Sequence, residues 1–313
     1  MSKIPEPVQT PDGPAYEGRL LHRVDEEVVD QGASFDLATL LTRRRVLSLV
    51  GIGAGAAILA ACAPTSPTGT TATSGTPSAD GDTGSAGSAE IPDETAGPYP
   101  GDGSNGPDVL EESGVVRSDI RSSIGGGATA DGVPLTFSLT VTDMANGDAA
   151  FAGVAVYAWH CDAHGDYSMY SSGIEDETYL RGVQLADADG TVTFTSIFPG
   201  CYSGRWPHIH FEVYPDADSI SDSSNAIAIS QLALPEAACA AVYQDARYSG
   251  SSGNLGQVTL ASDNVFGDDG GVLQLATVRG DATGGYTASL LVRVDTRTPV
   301  TAGAAPSGGM PRR

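Results

Sequence analysis

Tyr202, Arg205, His208 and His210 fall in one short run, Pro199-Gly200-Cys201-Tyr202-Ser203-Gly204-Arg205-Trp206-Pro207-His208-Ile209-His210-Phe211, in a chain that has only 5 histidines. Tyr167 lies upstream on a neighbouring segment. Two phenolates and two imidazoles make a hard, anionic, mixed oxygen and nitrogen donor set, which suits a trivalent ion such as Fe(III) better than Zn(II) or Cu(I). A free tyrosine hydroxyl ionises near pH ~10, and a bound cation favours its deprotonation, so that phenolate serves as a ligand at neutral pH. A His-x-His pair alone is more simply a surface pair or two satisfied core histidines. The Tyr and Arg spaced ahead of it turn the balance toward a built site.

The elements that must hold these groups read as β. His208-Ile209-His210-Phe211-Glu212-Val213-Tyr214 has the character of a strand, in which alternate residues share a face, so both imidazoles should point the same way. Residues 136–141, 154–159, 192–194 and 288–294 are likewise alternating or rich in β-branched and aromatic residues. Asp189-Gly190 and Gly284-Gly285 supply turn signals between such runs. Helical periodicity is scarce, with one short helix expected over 235–243. The fold class expected is all-β, a single sandwich with few short helices.

The order of motifs resembles that of the intradiol ring-cleavage dioxygenases, the catechol 1,2- and protocatechuate 3,4-dioxygenase group, and in particular their secreted single-chain members. The resemblance rests on Glu94-Thr95-Ala96-Gly97-Pro98-Tyr99, on Trp159 to Ser168, on Tyr179-Leu180-Arg181-Gly182-Val183-Gln184, on Asp187 to Gly190, on Phe198-Pro199-Gly200 and on the Tyr202 to His210 series, with weaker matches at Ser230-Gln231-Leu232, Val265-Phe266, Gly280-Asp281 and Gly285-Tyr286. It spans nearly all of 91–297. It implies a prealbumin-like β-sandwich and a non-haem Fe(III) cofactor. Tyr167, Tyr202, His208 and His210 would be its ligands, with Tyr202 the phenolate that leaves when substrate binds. Arg205 would stabilise negative charge on the ring, and Gln231 and Trp159 would line the pocket. The implied reaction is cleavage of a catechol-type ring between its two hydroxyls with O2, giving a muconate-type diacid. The alternative function is a non-catalytic extracellular β-sandwich that binds carbohydrate or protein and retains the metal motif.

The flanks suggest where the domain works. Arg43-Arg44 within Thr42-Arg43-Arg44-Arg45-Val46-Leu47 is a twin arginine, and Val46–Ala61 is an apolar run rich in Gly and Ala. That run is shorter than the ~20 residues of a spanning helix. It ends at Leu59-Ala60-Ala61-Cys62, which resembles a lipoprotein cleavage and lipidation site. Residues 1–62 are therefore expected to be a twin-arginine lipoprotein signal region. The protein would then be exported and lipid-anchored through Cys62 to the outer face of the cytoplasmic membrane, with no other membrane contact. Residues 63–90, almost wholly Thr, Ser, Gly, Ala, Pro and Asp, read as a disordered tether. Residues 91–297 are expected to be the intradiol dioxygenase-like catalytic domain and 298–313 a disordered tail.

A net charge of −23 argues against nucleic acid or anionic lipid as partners; the partners the resemblance implies are a small aromatic diol and O2. A monomer or simple homodimer is expected. Of the cysteines beyond Cys62, export favours a disulfide, and Cys201 with Cys239 is the expected pair, three reduced thiols being the alternative. Related sequences usually carry Trp where Cys201 stands, so the family pattern fails there and Cys201 is expected to alter the pocket mouth. His160 and His164 have the spacing of a helical metal pair, but they follow a strand and precede Gly165, which argues against a helix. Asp187-Ala188-Asp189-Gly190 reads as a hairpin turn in preference to a calcium loop.

Overall fold

Strand-forming residues account for most of the secondary structure in the computed structural model, which describes residues 8–10, 13–16, 19–20 and 89–301. The chain divides into two compact units, Met1–Ser85 and Ala86–Arg313. In the first, β1 (Val8–Thr10), β2 (Gly13–Tyr16) and β3 (Arg19–Leu20) pair antiparallel in that order. The twin arginine, the apolar run, Cys62, tether residues 63–88 and tail residues 302–313 lie outside the described residues. No helix among the described residues is long and apolar enough to cross a membrane.

The second unit is a β-sandwich. One sheet contains β4 (Pro134–Asp143), β5 (Ala149–Ala150), β8 (Thr191–Ile197), β11 (Thr277–Asp281) and β12 (Gly285–Val294). Its order is β11-β12-β4, with β5 and β8 both pairing β4. The β12–β4 pair is parallel and the others are antiparallel. The other sheet is antiparallel throughout, in the order β10-β9-β6-β7, from β6 (Ala155–Trp159), β7 (Arg181–Leu185), β9 (His208–Tyr214) and β10 (Ala228–Ala233). The helix expected near 235–243 forms over Glu236–Val242, and a shorter one covers Ser251–Leu255.

The sheets differ in what covers them. Burial alternates along β4 and β12, so that sheet has one face in the core and one toward solvent. Phe137, Leu139 and Val141 of β4, Phe194 of β8 and Val292 of β12 meet Val156 and Ala158 of β6 and Ile209, Phe211 and Val213 of β9 in the inter-sheet core. Each large apolar side chain buried there contributes about 1.5–3 kcal/mol. By contrast, every residue of β6 and β9 is buried. The face of that sheet turned away from the main core carries Ala155, Tyr157, Trp159 and Tyr214, and it is roofed by Ala96, Val109, Leu110 and Val115 and by Cys161, Tyr167 and Tyr170 of the loop after β6. A sheet face closed over by loops is a place where polar groups can be held away from water.

Candidate metal centre

One row across the roofed sheet organises the site. Gln231 of β10 lies opposite His210 of β9, His210 opposite Trp159 of β6, and Trp159 opposite Arg181 of β7. The Trp159 and His210 rings stack with centroids 4.8 Å apart and planes 5° from parallel, and Tyr157 stacks on the other side of Trp159 at 4.8 Å. Strand alternation puts His208 beside His210, and the loop after β6 delivers Tyr167 from above.

Four donor atoms converge there. Tyr167 Oη lies 3.5 Å from Tyr202 Oη, Tyr202 Oη lies 3.2 Å from His208 Nε2, and His208 Nε2 lies 3.0 Å from His210 Nε2. Donors about 3 Å apart have the separation expected when each is about 2 Å from one ion at nearly right angles. His208 Nδ1 faces the carbonyl of Trp206 and must donate to it, so in the neutral ring Nε2 presents its lone pair inward. His210 Nδ1 is buried and has no partner. Among the described residues no three His, Cys, Asp or Glu side chains gather as a metal group; the converging set is two imidazoles and two phenols.

The electrostatics fit a cation. Burial, reinforced by the Arg205 charge, pushes His208 down to about 3. Burial and then the neighbouring His208 hold His210 well below the usual imidazole range. Both rings are therefore neutral, as a ligand must be. Burial, tempered by Arg205, lifts Tyr202 to about 12, and burial, then the neighbouring Tyr202, hold Tyr167 well above the usual phenol range. Without a cation both phenols stay protonated; a trivalent ion among them is what would make them phenolates.

Arg205 reaches the site from the loop before β9. Its Nη2 donates to Gln231 Oε1 at 2.6 Å and its Nε to Asp263 Oδ2 at 3.0 Å. Gln231 Nε2 in turn donates to the carbonyl of Thr95 at 2.9 Å. Asp263 also accepts from the backbone N–H groups of Trp206, Val265 and Phe266 at 2.6, 2.8 and 3.1 Å. Burial opposes its ionisation, but Arg205 and these N–H groups prevail and hold its carboxyl below the usual range. Nothing in the sequence pairs Asp263 with Arg205, because the contact spans 58 residues. Its one local signal is the turn its carboxylate makes with Val265 and Phe266.

Glycines and acids complete the surroundings. Gly97 has φ +75°, and a Cβ there would sit 3.2 Å from His210 Cε1, so the backbone conformation and the close approach to His210 both favour glycine. Gly165, at φ +88°, makes the same approach to Tyr202 Cβ. Burial, then Asp268 and Asp269, push Glu94 up to about 8, against the pull of Arg205. On β9, burial and the neighbouring Asp102 push Glu212 up to about 8, and Tyr214 Oη donates to it at 2.7 Å.

Four sequence expectations resolve away from the centre. Cys161, Cys201 and Cys239 are all free thiols, so the Cys201–Cys239 disulfide is not formed. Their sulfurs serve different carbonyls: Cys161 faces Gly200, Cys201 faces Arg205 and Cys239 faces Leu234. Cys201 is 2% exposed and packs in the inter-sheet core, so it does not shape a pocket mouth. His160 is a satisfied core histidine, bonded to the Cys161 carbonyl and Ser196 Oγ, and His164 is exposed. Asp187 Oδ1 accepts from Asp189 and Thr191 N–H in a hairpin turn.

Residues 105–216 match the family model described as Dioxygenase. An intradiol ring-cleavage dioxygenase from Tetranychus urticae superimposes with TM-score 0.53 at 23% identity, covering 68% of this chain and 98% of that one. The folded unit has the fold of the intradiol ring-cleavage dioxygenases. A second solved dioxygenase matches the domain with TM-score 0.54 at 22% identity over 68% of this chain and 97% of that one. The dioxygenase domain of a dioxygenase and carbohydrate-binding fusion from Streptomyces sp. SirexAA-E gives TM-score 0.42 at 24% identity, with 66% and 99% covered. No curated protein matches the sequence. Within the matched dioxygenase segment lie Tyr167, Tyr202, Arg205, His208 and His210.

Proposed function

We propose that this domain is a non-haem Fe(III) intradiol dioxygenase, which opens the ring of a catechol-type diol between its hydroxyls with O2 to give a muconate-type diacid. The convergence of Tyr167, Tyr202, His208 and His210 donors on one point carries the reading. When bound, a ferric ion supplies the Lewis acidity that stabilises phenolate ligands and draws electron density from an aromatic diol.

The chain's own groups do the rest. Tyr202 is only half-buried, whereas Tyr167 is 2% exposed. Tyr202 would thus be the donor with more room to move, and its Oη, as a phenolate, would take a proton from an incoming diol hydroxyl. Tyr167 and the two histidines would hold the ion. Arg205, fixed by Gln231 and Asp263, holds a guanidinium where negative charge develops on the ring. Trp159 and Phe266 pack against the histidines and keep water from that side.

The acids near Arg205 bear on substrate charge. Asp268 and Asp269 each act on Glu94, which also feels Arg205, so neutral or amine-bearing catechols should be favoured over carboxylated ones. Ferric reconstitution of the purified protein should give a red-brown tyrosinate charge-transfer band that shifts on adding catechol, with oxygen uptake across a panel of neutral, cationic and carboxylated catechols. A protein that stays colourless and iron-free would end the enzyme reading in favour of a binding domain. We further propose export by the twin-arginine route with lipidation at Cys62, which rests on the sequence; an intact Met1 on membrane-associated protein would exclude it.

A further inference from the structure

Arg181 is 1% exposed and enters no ion pair among the described residues. A buried guanidinium is costly unless its N–H groups are satisfied. All five donors of the fork are satisfied here, and by neutral oxygens. Nε donates to Ser168 Oγ at 3.0 Å, Nη1 to Pro100 O at 2.7 Å and Tyr157 Oη at 3.0 Å, and Nη2 to Tyr99 O and Ser168 O, both at 2.9 Å. The guanidinium also lies over the Tyr170 ring, 5.4 Å from its centroid.

Four of the five acceptors belong to two segments that meet over the metal centre, and the fifth, Tyr157 Oη, stands on β6. Ser168 follows Tyr167 in the chain, and the Tyr99 ring packs on the Tyr167 ring with centroids 4.9 Å apart. One side chain therefore ties down both the backbone that delivers Tyr167 and the ring that backs it. It does so from the end of the row that contains Trp159 and His210. The backbone on either side is under tension: Met169 after Ser168 has φ 70° and Leu180 before Arg181 has φ 58°. Left-handed non-glycine residues cost of order 1–3 kcal/mol each and persist only where the surroundings fix them.

We propose that Arg181 is a positioning residue that sets the approach of the Tyr167 phenol to the metal centre. The proposal rests on the ferric dioxygenase reading for its meaning in catalysis, though not for its geometry. A lysine keeps the charge but offers a point where five acceptors need a planar fork. Arg181→Lys should bind ferric ion about 10–100-fold more weakly, the loss seen for partners that orient ligands. Its tyrosinate charge-transfer band should move, and kcat should fall more than KM rises. Ser168→Ala, which removes one acceptor and leaves the cation in place, should move the band in the same direction by less. It also carries the test if Arg181→Lys does not fold.

A readout free of metal separates this proposal from the functional one. In the iron-free protein, amide hydrogen exchange over 166–171 should accelerate in both variants while exchange in β9 stays slow. Unchanged exchange there, or an unchanged band and ferric affinity in folded Arg181→Lys, would overturn the positioning role. If the wild type takes no iron yet the exchange change appears, the functional reading fails and the positioning of Tyr167 by Arg181 stands.

Discussion

Arg205→Ala should take up ferric ion as the wild type does and turn over about 10²–10³-fold more slowly, the size of effect seen when one preorganised charge-stabilising donor is removed. Arg205 supplies no donor to the converging set; it stands beside it, held by Asp263 and Gln231. Leaving a buried carboxylate unpaired ordinarily costs 3–5 kcal/mol, at the level of about a third or more of a domain's stability. Asp263 would not be unpaired, however, because the N–H groups of Trp206, Val265 and Phe266 continue to bond it. The variant should thus remain folded, and its defect should appear in kcat at full iron occupancy. Steady-state kinetics beside iron stoichiometry make the comparison. Near-normal turnover in the iron-loaded variant would remove Arg205 from the mechanism.

His210→Asn should do the opposite: lose the ion, the colour and the activity together. Loss of a group that merely orients a ligand costs about 10–100-fold in metal affinity, and loss of a ligand should exceed that. The fold should survive, since His210 is held in a ladder with Gln231 on one side and Trp159 on the other by backbone pairing. What disappears is one of two neutral nitrogens 3.0 Å apart. Iron analysis and circular dichroism would be measured together. A folded variant that kept iron and colour would take His210 out of the ligand set.

The two histidines were legible because a strand's two-residue period makes His-x-His a statement about direction. Trp159 and Gln231 were legible only as parts of a resemblance; the structure adds that they flank His210 in register. Asp263 was hidden because an acid in an exposed-looking loop carries no mark of the arginine it will meet. Arg181 sat inside a quoted motif, but its acceptors are carbonyls of 99, 100 and 168, and backbone oxygens have no sequence signature. Among the strands, β4, β6, β8, β9 and β12 announced themselves by β-rich composition. Arg181-Gly182-Val183-Gln184-Leu185 and Thr277-Val278-Arg279-Gly280-Asp281 did not, since each has glycine and charge inside it. The cysteines misled because export favours disulfides in general, whereas burial here gives each thiol its own carbonyl.

The double burial of β9 has one more consequence. His208, His210, Glu212 and Tyr214 face the roof, and Ile209, Phe211 and Val213 face the core. A pairing error of a single residue would exchange the two sets, sealing both imidazoles among phenylalanines and turning aliphatic groups toward Tyr167. No partly correct version of the strand can gather the four donors. Recovery of the tyrosinate colour during refolding would therefore act as a clock for strand alignment, reporting when this hairpin network has found its native neighbours and staying dark for every misaligned form.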